Sequence, residues 1–520
     1  MYHKDEPMRI NLKGNHAMRL IAAAMFIVLA VAGMGFSVFL FMVAKNIYMY
    51  AVATLIFLLS IISGFFNVFA AFLFYRSYFY DEHLLELKST ILPLKSFPTV
   101  AIAMPVFNED PKVVKRNLES LMKMEYPKNK LRIYLLDDST KDPIREELRA
   151  FSKKSNITYL HRANRTAFKA GNLNNMLKHS KEEVLAIFDY DEYLKNTKFL
   201  LELLPYFADK KVAYIQTQKT SSGGTFFSDC VNLFDSFFFN FIQPARAIDN
   251  TAIFAGSCGI IRRSVLDELG GFPEFIIEDT FFSFESDIHN YKGVYIPKVY
   301  AYGKPITSFS ALVRQQWRYN YGDTQFIKYF LNNKPKKRSA PLWNMDYITH
   351  GFGLNYLSSM LILFTLVSVL LVFSNLPFVN INVFNINASL NLVTELEIFG
   401  AMAFILSFFL PVLLTKIYFK SLRKGFMVFL LNFALAISRT RAAIAALVGS
   451  DPTWNWNRIK GKSGDFKYSI YATRYELGFA SVLFVLGYFA AMNHNISGSV
   501  WLLLYGLLYV VATVMVYKYG

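Results

Sequence analysis

The sequence has little cysteine, with only Cys230 and Cys258 among its 520 residues. Two thiols cannot form a four-cysteine zinc site, and they exclude a fold held together by several disulfides. Charged residues are missing from two long segments, Leu20 to Ala44 and Asn46 to Tyr75, which are separated only by Lys45. Because each segment is longer than the roughly 20 residues that a helix needs to cross a bilayer, the sequence argues against a soluble enzyme.

Hydrophobic residues make up 54% of the chain and are concentrated in blocks. This distribution is typical of an integral membrane protein. The two uncharged segments predict an N-terminal transmembrane hairpin over residues 1–80, since no signal-peptide cleavage site follows them. Later blocks predict a C-terminal transmembrane region over residues 346–520: Phe352 to Phe373, Ile398 to Thr415, Leu477 to Met492 and Trp501 to Tyr517.

A further hydrophobic block, Gly425 to Gly449, is interrupted by Arg439 and Arg441. If this block crossed the bilayer, the basic loop after it would face the outside, although cytoplasmic loops normally carry the excess of lysine and arginine. We therefore predict an interfacial or re-entrant segment here, about six spans in all, and cytoplasmic termini.

The net charge of +17 could indicate a nucleic acid partner. The lysines and arginines lie largely beside the ends of the hydrophobic blocks, however, so membrane topology explains them more simply. The same rule places the segment between the blocks, residues 81–345, in the cytoplasm. We expect a multi-pass protein of the plasma membrane, whose partners include membrane lipids and no nucleic acid.

Residues 81–345 contain several apolar runs, and a segment with helical spacing lies between the first two. Apolar runs end at Pro105, at Asp137 and at Asp189, and Lys112 to Met124 has helical spacing. This order predicts an α/β domain with a mostly parallel sheet and helices on both faces. Ligands of such sheets lie beyond the carboxyl ends of the strands. Aromatic-rich segments in the second half of the domain predict interfacial helices, although packing in a core explains each nearly as well.

Several polar clusters are candidates for chemistry, and each has a simpler explanation. Asp189 and Asp191 could bind Mg²⁺ or Mn²⁺ together with a diphosphate, although surface turns produce Asp-X-Asp by chance. Asp137 and Asp138 could contact a nucleotide or cap a helix. Lys169 lies in a basic stretch before a glycine turn and a helix start, which suits a diphosphate but also a solvated loop.

Glu278 and Asp279 lie among aromatic residues, so burial should raise the pKa of at least one carboxyl and suit it to act as a general base. The alternative is an acidic pair that interacts with a helix dipole. Gln315, Arg318 and Tyr319 fall on one face of a predicted helix, where they could hold phosphate and stack on a sugar ring. An amphipathic interfacial helix explains them without a ligand.

Taken in order, these motifs resemble the family-2 inverting glycosyltransferases, in the membrane-embedded branch that includes cellulose, chitin and hyaluronan synthases. The resemblance covers about Pro98 to Tyr329 and rests on PVFNE, LLDDS, KAGNLN, FDYDE, FAGSCGIIRRSVLDELGGF and QQWRY. It implies the GT-A fold, a nucleotide-sugar-binding relative of the doubly wound sheet, inserted between transmembrane helices. The implied reaction transfers sugar from a nucleotide sugar, with a UDP-sugar expected, to a growing polysaccharide that could leave through the transmembrane region.

The resemblance also implies a role for each site residue. Asp279 would be the catalytic base, and Asp189 with Asp191 would hold a divalent metal, Mg²⁺ or Mn²⁺. Glu278 and Tyr319 would lie at the acceptor. The donor would be bound by Asp137, Asp138, Lys169, Asp189, Gln315 and Arg318.

Two positions depart from the family pattern. Ile277 stands where the family has threonine, and Tyr319 stands where it has tryptophan, which puts acceptor identity and processivity in question. A loop at residues 451–462 is a candidate for the family's gating segment, although the expected threonine is missing. Two other functions stay open: a transferase that adds one sugar to a lipid carrier, and a transporter whose cytoplasmic domain senses a nucleotide sugar.

Overall fold

The structure is a computed structural model. It describes residues 16–333 apart from 90, 92, 95 and 222, residues 346–349, residues 362–373 apart from 364, 368 and 371, and residues 410–520 apart from 411 and 451–463. The candidate gating segment, residues 451–462, lies outside the described residues. So do most of the predicted spans Phe352 to Phe373 and Ile398 to Thr415.

Nine strands are present among the described residues. They are β1 (Val100–Val106), β2 (Leu131–Asp137), β3 (Thr158–His161), β4 (Val184–Ile187), β5 (Tyr193–Leu194), β6 (Val212–Thr217), β7 (Gly259–Arg262), β8 (Lys292–Ile296) and β9 (Ala301–Tyr302). Seven of them form one mixed sheet in the order β3-β2-β1-β4-β7-β6-β8, and β5 pairs separately with β9. Only β7 runs antiparallel to its neighbours in the large sheet.

The helices before and within this sheet domain are α1 (His16–Val43), α2 (Ile47–Tyr78), α3 (Tyr80–Ser89), α4 (Pro111–Leu121), α5 (Asp142–Lys154), α6 (Phe168–His179), α7 (Phe199–Leu203), α8 (Phe226–Phe237), α9 (Gln243–Ala247), α10 (Arg263–Glu268), α11 (Glu278–Ile288) and α12 (Phe309–Asn333). After it come α13 (Leu422–Leu447), α14 (Phe466–Ala472), α15 (Arg474–Met492) and α16 (Ile496–Tyr519).

Strand β1 is apolar throughout because both faces of the sheet are covered. Side chains alternate between the faces of a strand. Val100, Ile102 and Met104 pack in one core with residues of α4 and α5. Ala101 and Ala103 pack in a second core with residues of α6, α10 and α11. The predicted α/β domain, a mostly parallel sheet with helices on both faces, is therefore confirmed.

Five helices among the described residues are long and apolar enough to cross a membrane, and they flank the sheet domain in the chain. They are Ala17–Val43, Ile47–Tyr78, Leu422–Leu447, Arg474–Met492 and Gly498–Tyr519. The first two form the predicted N-terminal hairpin, and the last two form the predicted final hairpin. Helices α8 and α12 contribute Phe227, Cys230, Phe309 and Leu312 to one core with α13 and α16.

The segment predicted to be interfacial or re-entrant forms one unbroken helix, α13. The helix continues past Arg439 because other protein groups satisfy its guanidinium. Its Nε and Nη2 atoms donate to Gln316 Oε1 at 3.0 and 2.7 Å, and Nη1 donates to Asn432 Oδ1 at 2.9 Å. Hydrogen-bonded partners make a buried charge tolerable.

Both ends of α13 contact the sheet domain. Near its start, Lys424 forms an ion pair with Asp229 of α8 at 2.8 Å. At its end, Lys328 of α12 donates to the Leu447 carbonyl at 2.8 Å. A span would carry one end away from the domain, so these contacts support the interfacial interpretation, which stays a prediction.

Candidate active site

A cavity at one edge of the sheet collects residues that are distant in sequence. Strands β1, β2 and β4 are parallel to one another. Strand β7 is antiparallel to both β4 and β6, so β6 runs in the same direction as the first three, and the carboxyl ends of all four lie at this edge. The cavity has a volume of about 1660 Å³. It is lined by every predicted site residue except Asp137, namely Asp138, Lys169, Asp189, Asp191, Glu278, Asp279, Gln315, Arg318 and Tyr319.

Asp137 and Asp138 follow one another at the end of β2 but have different surroundings. The buried Asp137 carboxylate accepts hydrogen bonds from the Ser139 amide at 2.8 Å and the Tyr159 hydroxyl at 2.7 Å. Asp137 therefore stabilises the turn and is not among the residues that line the cavity, and its contact with the donor stays a prediction. Asp138 does line the cavity, and its two carboxylate oxygens accept from the Arg162 guanidinium at 2.9 and 2.5 Å. Asp138 is the candidate of this pair for a nucleotide contact.

Lys169 reaches the cavity through a strained turn at the start of α6. Ala167 and Phe168 both have left-handed backbone conformations, with φ of 56° and 46°, which residues other than glycine rarely adopt. Lys169 follows in the first turn, where its Nζ donates to Asp189 Oδ1 at 2.7 Å and to the Gly256 carbonyl at 2.9 Å. The turn thus places an ammonium group and a helix N-terminus beside the acidic pair, where a diphosphate is favoured.

Three carboxylates and two ammonium groups form the centre of the site. Burial opposes ionisation of Asp189, but Lys169 and Lys219 outweigh it and hold the pKa of Asp189 below its usual range. Burial and the negative charges of Asp189 and Glu192 raise the pKa of Asp191 to about 7. Glu192 accepts a hydrogen bond from the Asp189 amide at 2.8 Å, which fixes the turn after β4.

Sequence reasoning missed Lys219 and Glu192, which line the cavity together with Arg165 of the basic stretch before α6. Lys219 follows the apolar strand β6, so the strand-end rule that located the acidic clusters would have located it too. Glu192 directly follows the Asp-X-Asp pair and could have been read with it. The Arg165 guanidinium lies 3.5 Å from the centroid of the Phe107 ring, a pairing that only the fold brings about.

Glu278 and Asp279 occupy the first turn of α11. Burial raises the pKa of Glu278 to about 7, with Lys169 opposing the rise and Asp279 adding to it. Burial likewise raises the pKa of Asp279, in agreement with the sequence prediction. Gly256 has a φ of 80°, and a Cβ atom there would lie 2.8 Å from Asp279 Oδ2. Only glycine lets this loop approach the carboxylate without strain.

Helix α12 presents Gln315, Arg318 and Tyr319 to the cavity. The helix packs closely against the residues before the acidic pair, since a Cβ atom at Gly322 would lie 2.6 Å from Ile277 Cγ2. This contact fixes the arginine and the tyrosine relative to the start of α11. The Arg318 guanidinium, the Tyr319 ring and the buried carboxyls of Glu278 and Asp279 therefore line the same cavity.

The cavity continues from these groups to the helices that could cross the membrane. Its walls include Ser60, Ser63 and Asn67 of α2, Asn432 of α13 and Trp501 of α16. Polar and amphipathic side chains on otherwise apolar helices suit a polar ligand inside the membrane region. One continuous space thus joins the carboxylates to the hydrophobic helices.

The acidic pair fits a divalent cation that binds together with a diphosphate. Among the described residues, no group of three or more histidine, cysteine or acidic side chains could hold a metal alone. Mg²⁺ commonly uses one or two carboxylates and completes its coordination with water and substrate phosphates. Asp189 and Asp191 provide this donor set, and the raised pKa of Asp191 marks a carboxyl whose ionisation a cation would favour.

Comparison with known proteins agrees with this geometry. Residues 101–270 match the family described as Glycosyl transferase family 2, and residues 186–517, more than half of the chain, match Glycosyl transferase family group 2. The chain is 31% identical over 242 residues to the cellulose synthase catalytic subunit (UDP-forming) of Pseudomonas fluorescens, a match that covers 45% of this chain and 32% of that protein.

A second curated relative is glucomannan 4-beta-mannosyltransferase 7 of Arabidopsis thaliana, 27% identical over 270 residues, with 49% of this chain and 48% of that protein covered. The chain therefore spans between about a third and a half of the length of these relatives. Among solved structures, a mannosyltransferase of Pyrobaculum calidifontis in complex with GDP-Man and Mn²⁺ shares 16% identity and a TM-score of 0.47, covering 74% of this chain and 99% of that one.

Proposed function

Since this chain belongs to Glycosyl transferase family group 2, we propose that it is a membrane-bound inverting glycosyltransferase that moves sugar from a nucleotide sugar to a growing polysaccharide. One observation carries this proposal. Asp138, Asp189, Asp279 and Arg318 line a single cavity, and that cavity continues among helices long enough to cross a membrane.

The proposed reaction is a single displacement at the anomeric carbon of the donor sugar. Asp279 accepts the proton of the acceptor hydroxyl while the new glycosidic bond forms and the bond to the diphosphate breaks, so the anomeric configuration inverts. Burial, which raises the pKa of Asp279, makes its carboxylate a stronger base than an exposed one.

The donor would lie along the carboxyl ends of the strands. Asp138 contacts the uracil or ribose, and Lys169, Gln315 and Arg318 hold the departing diphosphate, whose charge a bidentate guanidinium suits well. Asp189 and its neighbour in the Asp-X-Asp pair would hold Mg²⁺ or Mn²⁺, which neutralises diphosphate charge when bound.

The acceptor would lie on the side of the cavity that leads to the membrane helices. Tyr319 offers a ring on which a sugar can stack, and Glu278 offers a buried carboxyl for its hydroxyl groups. We propose that the growing polysaccharide leaves along the same cavity, past the interfacial α13 and between α1, α2 and α16, from a cytoplasmic active site across the plasma membrane.

The test uses the full chain, purified and placed in lipid nanodiscs with MnCl₂ and a panel of radiolabelled UDP- and GDP-sugars. The expected result is nucleotide release with one donor and a ladder of glycan products. A single lipid-extractable product would replace this proposal with transfer to a lipid carrier. No turnover with any donor would favour a sensing domain, provided that the nucleotide still binds.

A further inference from the structure

Each carboxylate oxygen of Asp189 is paired with a different lysine. Lys169 Nζ lies 2.7 Å from Oδ1, and Lys219 Nζ lies 3.4 Å from Oδ2. Both lysines and the carboxylate line the cavity. A metal ion that approaches this carboxylate meets two ammonium groups, which compete with it for the two oxygens.

Lys219 belongs to none of the motifs that identify the donor site, yet its surroundings are built to hold a charge. Its Nζ also lies 3.5 Å from Glu192 Oε1 and 3.3 Å from the Ala255 carbonyl. Two carboxylates and one backbone carbonyl therefore surround the ammonium group of Lys219 inside the cavity.

A cation that approaches Asp189 has to replace existing ion pairs. Lys219 is shared between Asp189 and Glu192, and Lys169 lies 2.7 Å from Asp189 Oδ1 and 3.9 Å from Glu278 Oε1. A divalent cation that binds alone would therefore leave a displaced lysine without its partner at Asp189. When a cation arrives together with a nucleotide sugar, the diphosphate of that sugar carries roughly two negative charges. These charges compensate the cation and give a displaced lysine a new partner.

We propose that Lys219 couples cation binding to donor binding. Its ammonium group pairs with Asp189 Oδ2, and when the donor binds it moves to the diphosphate and frees that oxygen for the metal. The inference rests on the proposed donor site. It makes Lys219 a positioning residue, and removing Lys219 should allow the cation to bind without the donor.

The test measures Mn²⁺ binding by electron paramagnetic resonance, with and without UDP, in the detergent-solubilised full chain. For the native protein, UDP should tighten Mn²⁺ binding by about tenfold or more. In Lys219→Met, Mn²⁺ should bind about tenfold more tightly than in the native protein when UDP is absent, and the tightening by UDP should shrink. Lys304→Met is the matched control, since Lys304 lines the same cavity without an ion pair to Asp189 among the described residues.

Unchanged Mn²⁺ affinity without UDP, in Lys219→Met and in Lys219→Gln, would overturn the inference. A native protein that binds Mn²⁺ equally well with and without UDP would overturn it whether or not the variants fold. Neither result would contradict the proposed function. The proposed function fails if the native protein binds no nucleotide at any Mn²⁺ concentration.

Discussion

Replacing Asp279 with asparagine tests the proposed chemistry at its centre. The change keeps the shape of the side chain and removes the carboxylate that we expect to accept the proton. Asp279 Oδ1 accepts a hydrogen bond from the Thr280 amide at 2.8 Å, and the asparagine carbonyl can accept the same bond. The start of α11 should therefore keep its position, and the variant should fold.

The size of the expected effect follows from the role of a base. A positioned general base contributes about 10²- to 10⁴-fold to a rate, which corresponds to about 3–5 kcal/mol in the activation free energy. Elongation by Asp279→Asn should fall by that factor, whereas UDP affinity should stay within about threefold because the nucleotide is held by other residues. Glu285→Gln is the control on the same helix, since Glu285 accepts from the Tyr329 hydroxyl and does not line the cavity.

The assay compares the native protein with Asp279→Asn in three measurements: the initial elongation rate with labelled donor, the UDP affinity by calorimetry, and the pH dependence of the elongation rate. Because a base acts only when ionised and burial raises the pKa of Asp279, the native rate should fall as pH drops through a value above the usual aspartate pKa. The variant should lose the part of this acid limb that Asp279 contributes. Elongation at a normal rate by Asp279→Asn would refute the assignment of the base.

Two further predictions concern positions that support the site. Gly256→Ala should lower turnover about tenfold to a hundredfold, because its Cβ would press on Asp279, the proposed base. Elongation rates are compared with those of Gly270→Ala, at a glycine that also has a positive φ but has open space around it, so that backbone strain is separated from the contact with Asp279. Arg439→Met should lower stability by about 1–3 kcal/mol because Gln316 Oε1 loses its donors. Thermal unfolding is compared with that of Lys467→Met, at an exposed site, and equal melting temperatures would contradict the prediction.

Much of the site could be predicted because a parallel sheet brings its strand ends together. Asp138 and Asp189 follow strands with recognisable apolar runs, so their convergence needed no knowledge of side-chain packing. The same rule could not separate Asp137 from Asp138. Which carboxylate enters the cavity depends on the Ser139 amide and the Tyr159 hydroxyl, and the latter comes from β3, which the sequence analysis did not delineate.

The nature of α13 could not be predicted because it depends on contacts between distant segments. Its arginines read as a break in a hydrophobic block. In the fold, Arg439 finds Gln316, a residue of α12 within the motif that also supplies Gln315 and Arg318. Hydropathy describes only the helix itself and contains no information about such a partner. The opposing lysines around Asp189 were missed for a related reason, since only the topology of β6 and α6 places them on one carboxylate.

An experimental structure of the full chain with UDP and Mn²⁺ tests the central claim most directly. We predict that the nucleotide lies at the sheet edge, with the uridine beside Asp138, the diphosphate between Lys169 and Arg318, and Mn²⁺ on Asp189 and Asp191. Nucleotide density elsewhere on the protein, with Asp189 still paired with Lys169 and Lys219, would contradict it.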